Sequence, residues 1–276
     1  MDIKDKKTSA QASLLLERLH EQKLTAFTTD RAYHALPETS EIVIKRLLGK
    51  MTSRGLLMRV KEGLYYIIPY EQDAKTFMPD WHLLAQYLVG DAKYYIGYFS
   101  AMQIHSLTTQ PALKEQIVVN KQIKPTTQRI KDIPFQFIYH NDEHFFGEKK
   151  TWIDSYNKVI CSDLEKTVID SLFKPTYAGG ITEIVKAIEK SKDKIDYKKL
   201  YDYAKKFNSQ AVIKRLGFLL ELLEINQPAI IEMLQKLRTN SFVLLEPGYP
   251  KEGKTIFRWA IQQNIDTESI LSPIYT

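Results

Sequence analysis

The residues with the clearest chemical potential are six basic side chains between positions 42 and 61, a stretch that contains no acidic residue. Lysine and arginine neutralise phosphates and donate hydrogen bonds to guanine edges, and serine and threonine bind phosphate oxygens. The stretch therefore predicts a surface that binds a polyanion. The alternative is that these charges are only the solvated face of an amphipathic helix. The six residues are Lys45, Arg46, Lys50, Arg54, Arg59 and Lys61, bracketed by Glu41 and Glu62.

Side chains that could catalyse a reaction form only weak patterns. Asp142 followed by Glu148-Lys149-Lys150 fits the loose acid…acid-x-Lys pattern of metal-dependent nucleases, which arises by chance in many lysine-rich chains. A winged-helix-targeted nuclease or nucleotide-processing enzyme is therefore kept as an alternative function.

A second group of acids lies on one predicted helix. Asp163 is placed to cap its start, and Glu165 lies in the first turn, where the helix dipole favours a carboxylate. Asp170 follows Lys166 by four residues, which predicts an ion pair on the helix surface. These acids are therefore assigned structural roles.

The cysteine and the histidines are also interpreted structurally. Cys161 has no histidine near it in sequence and is predicted to be a buried small residue. His140 and His144 have metal-ligand spacing for a helix, but their stretch is predicted to be a loop, and His105 is predicted to pack within a helix. With no phosphate-binding glycine-lysine loop and no dinucleotide fingerprint, we predict no catalytic residue, no metal site, no cofactor and no enzymatic activity.

The basic stretch lies within a run of elements that can position it. Helical periodicity or capping residues predict three helices, and Lys61-Glu62-Gly63 joins two short apolar strands in a hairpin. Gly55 ends the third helix, and Gly63 supplies the positive φ that a tight hairpin loop needs. The predicted helices span residues 9–21, 28–36 (capped by Thr28 or Thr29) and 39 or 40 to 55 (capped by Thr39 or Ser40), and the strands span residues 56–60 and 64–68.

Three helices followed by a two-stranded wing is the element order of a winged helix-turn-helix, whose third helix enters the DNA major groove. The predicted inward face of that helix carries Val43, Leu47, Leu48 and Met51, with Ile44 at the margin. Its outward face carries Ser40, Glu41, Lys45, Arg46, Gly49, Lys50 and Ser53. We predict that double-stranded DNA is contacted by Thr39, Ser40, Lys45, Arg46, Lys50, Arg54, Arg59 and Lys61. A winged helix that binds only protein is a further alternative.

The composition is that of a globular protein. The chain has 276 residues, a net charge of +6, a pI near 9.0 and one cysteine, which excludes an internal disulfide and a cysteine-rich zinc site. No apolar stretch approaches the ~20 residues that cross a bilayer. The start, MDIKDKKTSAQASLLLERL, lacks the features of a secretory signal, so we expect a cytoplasmic protein with no membrane partner.

After a polar segment at residues 71–80, predicted to be a linker, the pattern becomes α/β with a helix-rich C-terminal half. Gly179 and Gly180 precede a helix and are interpreted as a tight turn, with anion binding as the alternative. The lysines from 186 to 206 alternate with acids and are interpreted mainly as solvated helix faces, with a second nucleic-acid surface as the alternative. The predicted organisation is residues 1–70, a linker at 71–80 and residues 81–276.

Several segments in this order resemble the AbiEi family, the antitoxins and transcriptional repressors of type IV toxin–antitoxin (abortive infection) systems. They are RGLLMRVKEGLYYIIP, like the family's wing ending in Gly-x-Tyr, YYIGYFSAMQIHSL, VICSDLEKTVIDSLFKPTYAGGITEI, KRLGFLLELL and FRWAIQQNI, in which Trp259 and Asn264 recur in the family. Together they extend over most of the chain.

The resemblance implies an α+β protein: an N-terminal winged helix-turn-helix that binds operator DNA and a C-terminal α/β antitoxin domain. It further implies repression of the protein's own operon and antagonism of a co-encoded nucleotidyltransferase-like toxin without a stable complex. A stand-alone transcriptional regulator is the remaining alternative.

Overall fold

The computed structural model describes residues 8–274. Within them the chain divides into two compact units. The first runs to Leu88 and includes residues 129–132, and the second takes the rest of the chain from Val89 onward. The architecture is mixed: helices and three separate sheets, consistent with the predicted α+β class.

The first unit has three main helices and a three-stranded antiparallel sheet with strand order β1-β3-β2. Its elements are α1 (Ala10–Glu21), β1 (Ala26–Thr28), α2 (Thr29–Ala35), α3 (Glu41–Ser53), β2 (Leu57–Lys61), β3 (Leu64–Ile67) and the short α4 (Ala85–Leu88).

Local signals that were visible in the sequence form these elements. The Thr28 hydroxyl accepts a hydrogen bond from the backbone N–H of Arg31 and caps α2. Gly55 follows α3 with φ +70°, and Gly63 has φ +72° in the hairpin loop. Ser40 stands at the start of α3, but its side chain makes no capping hydrogen bond.

Two details of this unit differ from prediction. Ile44 is fully buried and Val43 is 39% exposed, so the buried stripe of α3 is Ile44, Leu47, Leu48 and Met51. This i, i+3, i+4, i+7 pattern differs from the predicted stripe in one member, since Ile44 takes the place of Val43. The strand β1 was also missed, because three residues are too few to show an alternating pattern.

Residues 71–80, predicted to be a linker, contain no helix or strand. The segment belongs to the first unit, within which Phe77 packs against Tyr66 of β3 with a ring-centroid distance of 5.6 Å.

The second unit combines a mixed sheet with strand order β6-β7-β5-β4-β9-β8, a cluster of helices and a small sheet with order β10-β12-β11. Its strands are β4 (Tyr94–Ile96), β5 (Glu115–Val119), β6 (Thr127–Ile130, of which residues 129 and 130 are grouped with the first unit), β7 (Ile133–Tyr139), β8 (Glu148–Trp152), β9 (Lys158–Ser162), β10 (Val243–Leu244), β11 (Lys254–Ile256) and β12 (Ile261–Gln263). Its helices are α5 (Tyr98–Ile104), α6 (Leu164–Phe173), α7 (Ile181–Ser191), α8 (Tyr197–Phe207), α9 (Gln210–Leu222), α10 (Pro228–Leu237) and α11 (Thr267–Leu271).

Helix α6 lies at the centre of the second unit. It follows β9 directly, is capped by the Asp163 carboxylate at the Lys166 N–H, and has eight of its ten residues buried. A side chain on α6 therefore faces protein whichever way it points.

Trp259 and Asn264, two residues that carry the family resemblance, hold this unit together. A Cβ on Gly217 of α9 would lie 2.0 Å from the Trp259 ring, so glycine is needed for the close contact. The Trp259 indole donates to Glu221 at 2.7 Å. The Asn264 amide accepts from Glu246 N–H at 2.9 Å and donates to its carbonyl at 2.8 Å.

None of the helices in residues 8–274 has both the length and the apolar composition that crossing a bilayer requires.

Candidate nucleic-acid interface

The face of α3 opposite its buried stripe is fully accessible. All the side chains predicted to point outward on this helix are exposed, including Lys45, Arg46 and Lys50. Lys45 lies 4.0 Å from Glu41, one turn earlier, in an exposed pair. Surface pairs of this kind contribute little, so the Lys45 charge remains available to another anion.

The hairpin extends this basic surface. Arg59 and Lys61 are exposed on β2, and a register shift between them places Arg59 opposite Tyr65 and Lys61 opposite Leu64. The carbonyl of Gly63 at the hairpin tip accepts a 2.8 Å hydrogen bond from the N–H of Thr29, which holds the tip against the start of α2.

A cleft of about 860 Å³ runs between the start of α2, α3 and the hairpin. Its walls carry hydroxyl groups and both signs of charge: Lys45 and Arg59 are accompanied by three acids, Asp30, Glu41 and Glu62. The sequence showed the last two as brackets of the basic stretch, and folding brings them to one cleft. Arg46 and Lys50 are not among the residues lining it.

The predicted basic residues are divided between the cleft and the surface outside it. Lys45 and Arg59 line the cleft together with Asp30, Glu41 and Glu62, whereas Arg46, Lys50, Arg54 and Lys61 are exposed outside it. Thr39 is half-buried and Ser40 is exposed before the first turn of α3. The predicted DNA-contacting residues thus lie on α3, in the turn before it, at Arg54 directly after it and on β2, all within the first unit.

The acids and lysines considered for catalysis do not form a metal-binding group. Glu148, Lys149 and Lys150 are exposed on β8, at an edge of the larger sheet, and Asp142 is exposed in the loop after β7. Residues 8–274 contain no cluster of three or more His, Cys, Asp or Glu side chains that could hold a metal ion.

The predicted surface pair of Lys166 and Asp170 is wrong, because both side chains are completely buried. The Lys166 ammonium contacts the Asp170 carboxylate, donates to the Tyr95 hydroxyl at 3.0 Å and lies 4.9 Å from the ring centroids of Phe146 and Phe207. The i, i+4 spacing was correct, but α6 has no solvent face on which to display the pair.

The buried pair belongs to a longer polar chain. The Tyr95 hydroxyl also donates to the second Asp170 oxygen at 2.9 Å and lies 3.3 Å from His140 Nδ1, while the Tyr98 hydroxyl lies 2.8 Å from His140 Nε2. Burial lowers the pKa of Lys166 and raises that of Asp170, and the attraction between the two charges opposes both shifts.

His140, the histidine in this chain of contacts, has a strongly lowered pKa. Burial and then the Lys166 charge lower its pKa from 6.5 to about 2, so it is neutral at physiological pH. The neighbouring His144 stacks on Phe207 with a centroid distance of 3.8 Å, and its Nε2 lies 3.0 Å from the Phe207 carbonyl. Cys161 and His105 are also structural: burial raises the thiol pKa, and His105 Nε2 bonds the Ser162 carbonyl at 2.7 Å.

The Gly179-Gly180 turn is occupied by a side chain of the protein itself. The Glu246 carboxylate accepts a 2.7 Å hydrogen bond from the backbone N–H of Ile181, the first residue of α7. An internal anion thus fills the helix start, in agreement with the tight-turn interpretation rather than with a ligand site.

Half of the eight lysines between residues 186 and 206 are paired with acids. Four lysines lie within 3.3 Å of a carboxylate, which supports their interpretation as solvated helix faces. The pairs are Lys186–Glu183, Lys192–Glu189, Lys198–Asp202 and Lys199 with both Asp163 and Glu165.

Comparison with known proteins shows similarity at the level of the fold. The chain is similar to the crystal structure of RV2827C protein from Mycobacterium tuberculosis, with a TM-score of 0.71 and 12% sequence identity over 98% of this chain and 97% of that one. No protein-family model matches the sequence. No curated protein matches it either.

Proposed function

We propose that the first unit is a winged helix-turn-helix that binds double-stranded operator DNA, and that the protein is an antitoxin and autorepressor of the AbiEi type. The observation that carries the DNA-binding proposal is the exposed basic surface of α3 and β2, on which Arg46, Lys50 and Lys61 lie outside the acid-containing cleft while Lys45 and Arg59 line it. Such a surface suits a polyanion whose phosphates lie on both sides of the helix.

The arrangement of elements supports the same proposal. The order α1-β1-α2-α3-β2-β3 places α3 next to a hairpin whose tip is fixed to α2, so helix and hairpin form one rigid support. A winged helix uses its third helix in the major groove and its wing on the backbone. Gly49 has no atom within 4 Å of the position of a Cβ, which leaves that part of α3 open to a close approach by DNA.

The antitoxin part of the proposal rests on the resemblance of the sequence to AbiEi proteins. Its role would be to oppose a co-encoded nucleotidyltransferase-like toxin, and the second unit is the part available for it. The internal use of Glu246, Asp163, Glu165 and Asp170 as caps and ion-pair partners supports a role other than catalysis for these acids.

The decisive experiment is binding of the full chain to DNA from its own promoter, measured by fluorescence anisotropy near physiological salt. The variant Lys45→Ala/Arg46→Ala/Lys50→Ala should lose at least about tenfold in affinity, since every phosphate that the variant leaves unneutralised removes one counterion-release contribution. The matched control is Lys190→Ala/Lys194→Ala/Lys205→Ala, which removes three exposed charges from the second unit. Equal affinity of both variants would refute this DNA surface.

The salt dependence gives a second measure of the same surface. The slope of log affinity against log salt should be steep for the natural protein. It should become shallower by about 0.9 for each phosphate that is no longer neutralised, or by about 3 for the triple variant. An unchanged slope would show that these three residues do not bind phosphates.

The two proposed activities can be separated in cells. A strain carrying the toxin gene with the Lys45→Ala/Arg46→Ala/Lys50→Ala variant should grow when the variant is supplied from an independent promoter, although repression of the native promoter is lost. Loss of both activities, with the protein still folded, would contradict antagonism by the second unit.

A further inference from the structure

One exposed side chain on α3 does not fit a surface made only for phosphates. Ile42 is 66% exposed, the most exposed large apolar residue of the helix. Successive residues of an α-helix are rotated by about 100°, so the line opposite the buried stripe passes through Ile42, Gly49 and Ser53. Ile42 therefore stands at the centre of the outward face, in the first turn.

The neighbours of Ile42 on this face include groups that would bind phosphate, together with Glu41, which lies 4.0 Å from Lys45. Arg46 follows Ile42 by one turn and Lys50 by two, and both are exposed. Val43, 39% exposed, adds a second apolar surface at its side. The result is an apolar spot flanked by cations.

Duplex DNA offers one apolar group to a helix in its major groove, the C5-methyl of thymine, and it offers phosphates at the groove edges. In helix-turn-helix docking the N-terminal residues of the recognition helix, which corresponds to α3 here, reach the base edges. Building on the proposed function, we infer that Ile42, with Val43 beside it, contacts thymine methyl groups and makes the protein prefer sites with thymine under the first turn of α3. The surrounding charge favours DNA over an apolar protein pocket as the occupant.

The test uses the methyl group itself. A preferred duplex is first selected from random sequences with the full-length protein, and each thymine is then replaced singly by deoxyuridine, which removes only the methyl. For the natural protein, at least one replacement should weaken binding by about fourfold, the value expected for one buried methyl. For Ile42→Ala the same replacement should have no effect.

The controls separate this inference from the proposed function. Leu14→Ala truncates another exposed apolar side chain, on α1, and should retain the deoxyuridine effect. A persistent effect in Ile42→Ala, no effect at any thymine in the natural protein, or an equal loss of affinity by Ile42→Ala for selected and random duplexes would overturn the inference while DNA binding stands. Absence of binding to every duplex would instead refute the proposed function.

Discussion

Two lysine–acid pairs with the same spacing occur in the two units, in opposite environments. On α3, Lys45 and Glu41 are 65% and 68% exposed and their charged atoms are 4.0 Å apart. On α6, Lys166 and Asp170 are in direct contact and have no exposed surface. The i, i+4 spacing brings the partners together in both helices, but it does not determine whether water or protein surrounds them.

The difference decides what each pair can do. The exposed pair is screened by solvent, so Lys45 can exchange Glu41 for a phosphate. The buried pair is closed off by the rings of Phe146 and Phe207 and is fixed by the Tyr95 hydroxyl, so it stabilises one arrangement of the second unit. Of these two pairs, the α3 pair is the one available to an external partner.

The largest effect should come from neutralising one member of the buried pair. Asp170→Asn leaves the Lys166 charge uncompensated in the protein interior, and we expect the free energy of unfolding to fall by about 3–5 kcal/mol in urea denaturation followed by tryptophan fluorescence. The double variant Lys166→Met/Asp170→Leu should recover much of this loss, because it removes both charges. A loss below about 1 kcal/mol for Asp170→Asn would contradict the buried geometry.

A pH effect of intermediate size should come from His140, which borders the same pair. Its pKa is about 2 in the folded protein and 6.5 when unperturbed, so below pH 6.5 the unfolded chain binds a proton that the folded chain does not. The contribution of His140 to stability is therefore complete above pH 6.5 and is lost as the pH falls towards 2. Between pH 7 and pH 4.5 the loss amounts to about 3 kcal/mol.

The check is urea denaturation at both pH values. His140→Gln should lose about 3 kcal/mol less stability on acidification than the natural protein does, whatever its stability at pH 7. His20→Gln, which removes an exposed histidine from α1, should retain the natural pH dependence. Identical pH dependence for all three proteins would show that His140 is not held neutral.

Much of the fold follows from local sequence patterns. The three main helices of the first unit, the Asp163 cap of α6 and the roles of Gly55 and Gly63 were predictable, because periodicity, capping groups and glycine act over a few residues. The strand β8 was not, since its residues Glu148 to Trp152 lie at a sheet edge and show no apolar alternation. Because no side chain of β8 is buried, neither face of the strand required apolar residues.

The candidate site was predictable in part for the same reason. The exposure of Lys45, Arg46 and Lys50 follows from the amphipathic pattern of α3, whereas the gathering of Asp30, Glu41 and Glu62 at one cleft needs the tertiary fold. Val43 was predicted to face inward but is exposed, and Ile42 had been assigned to neither face of α3. Burial of Lys166 and Asp170 was likewise beyond local patterns, since it depends on elements that surround α6.

The smallest effect on stability should come from breaking the exposed pair, and the same change should strengthen DNA binding. Glu41→Gln is the counterpart of Asp170→Asn. It removes the ion pair and the negative charge at the helix start, but because the pair is exposed we expect the free energy of unfolding to fall by less than about 1 kcal/mol. Because it removes a negative charge beside Lys45, it should strengthen DNA binding about threefold at low salt and less at high salt. Glu21→Gln, at the exposed end of α1, should change affinity less. Weaker binding by Glu41→Gln to a selected duplex, but not to random DNA, would instead show that Glu41 contacts a base and that the α3 pair opens on binding.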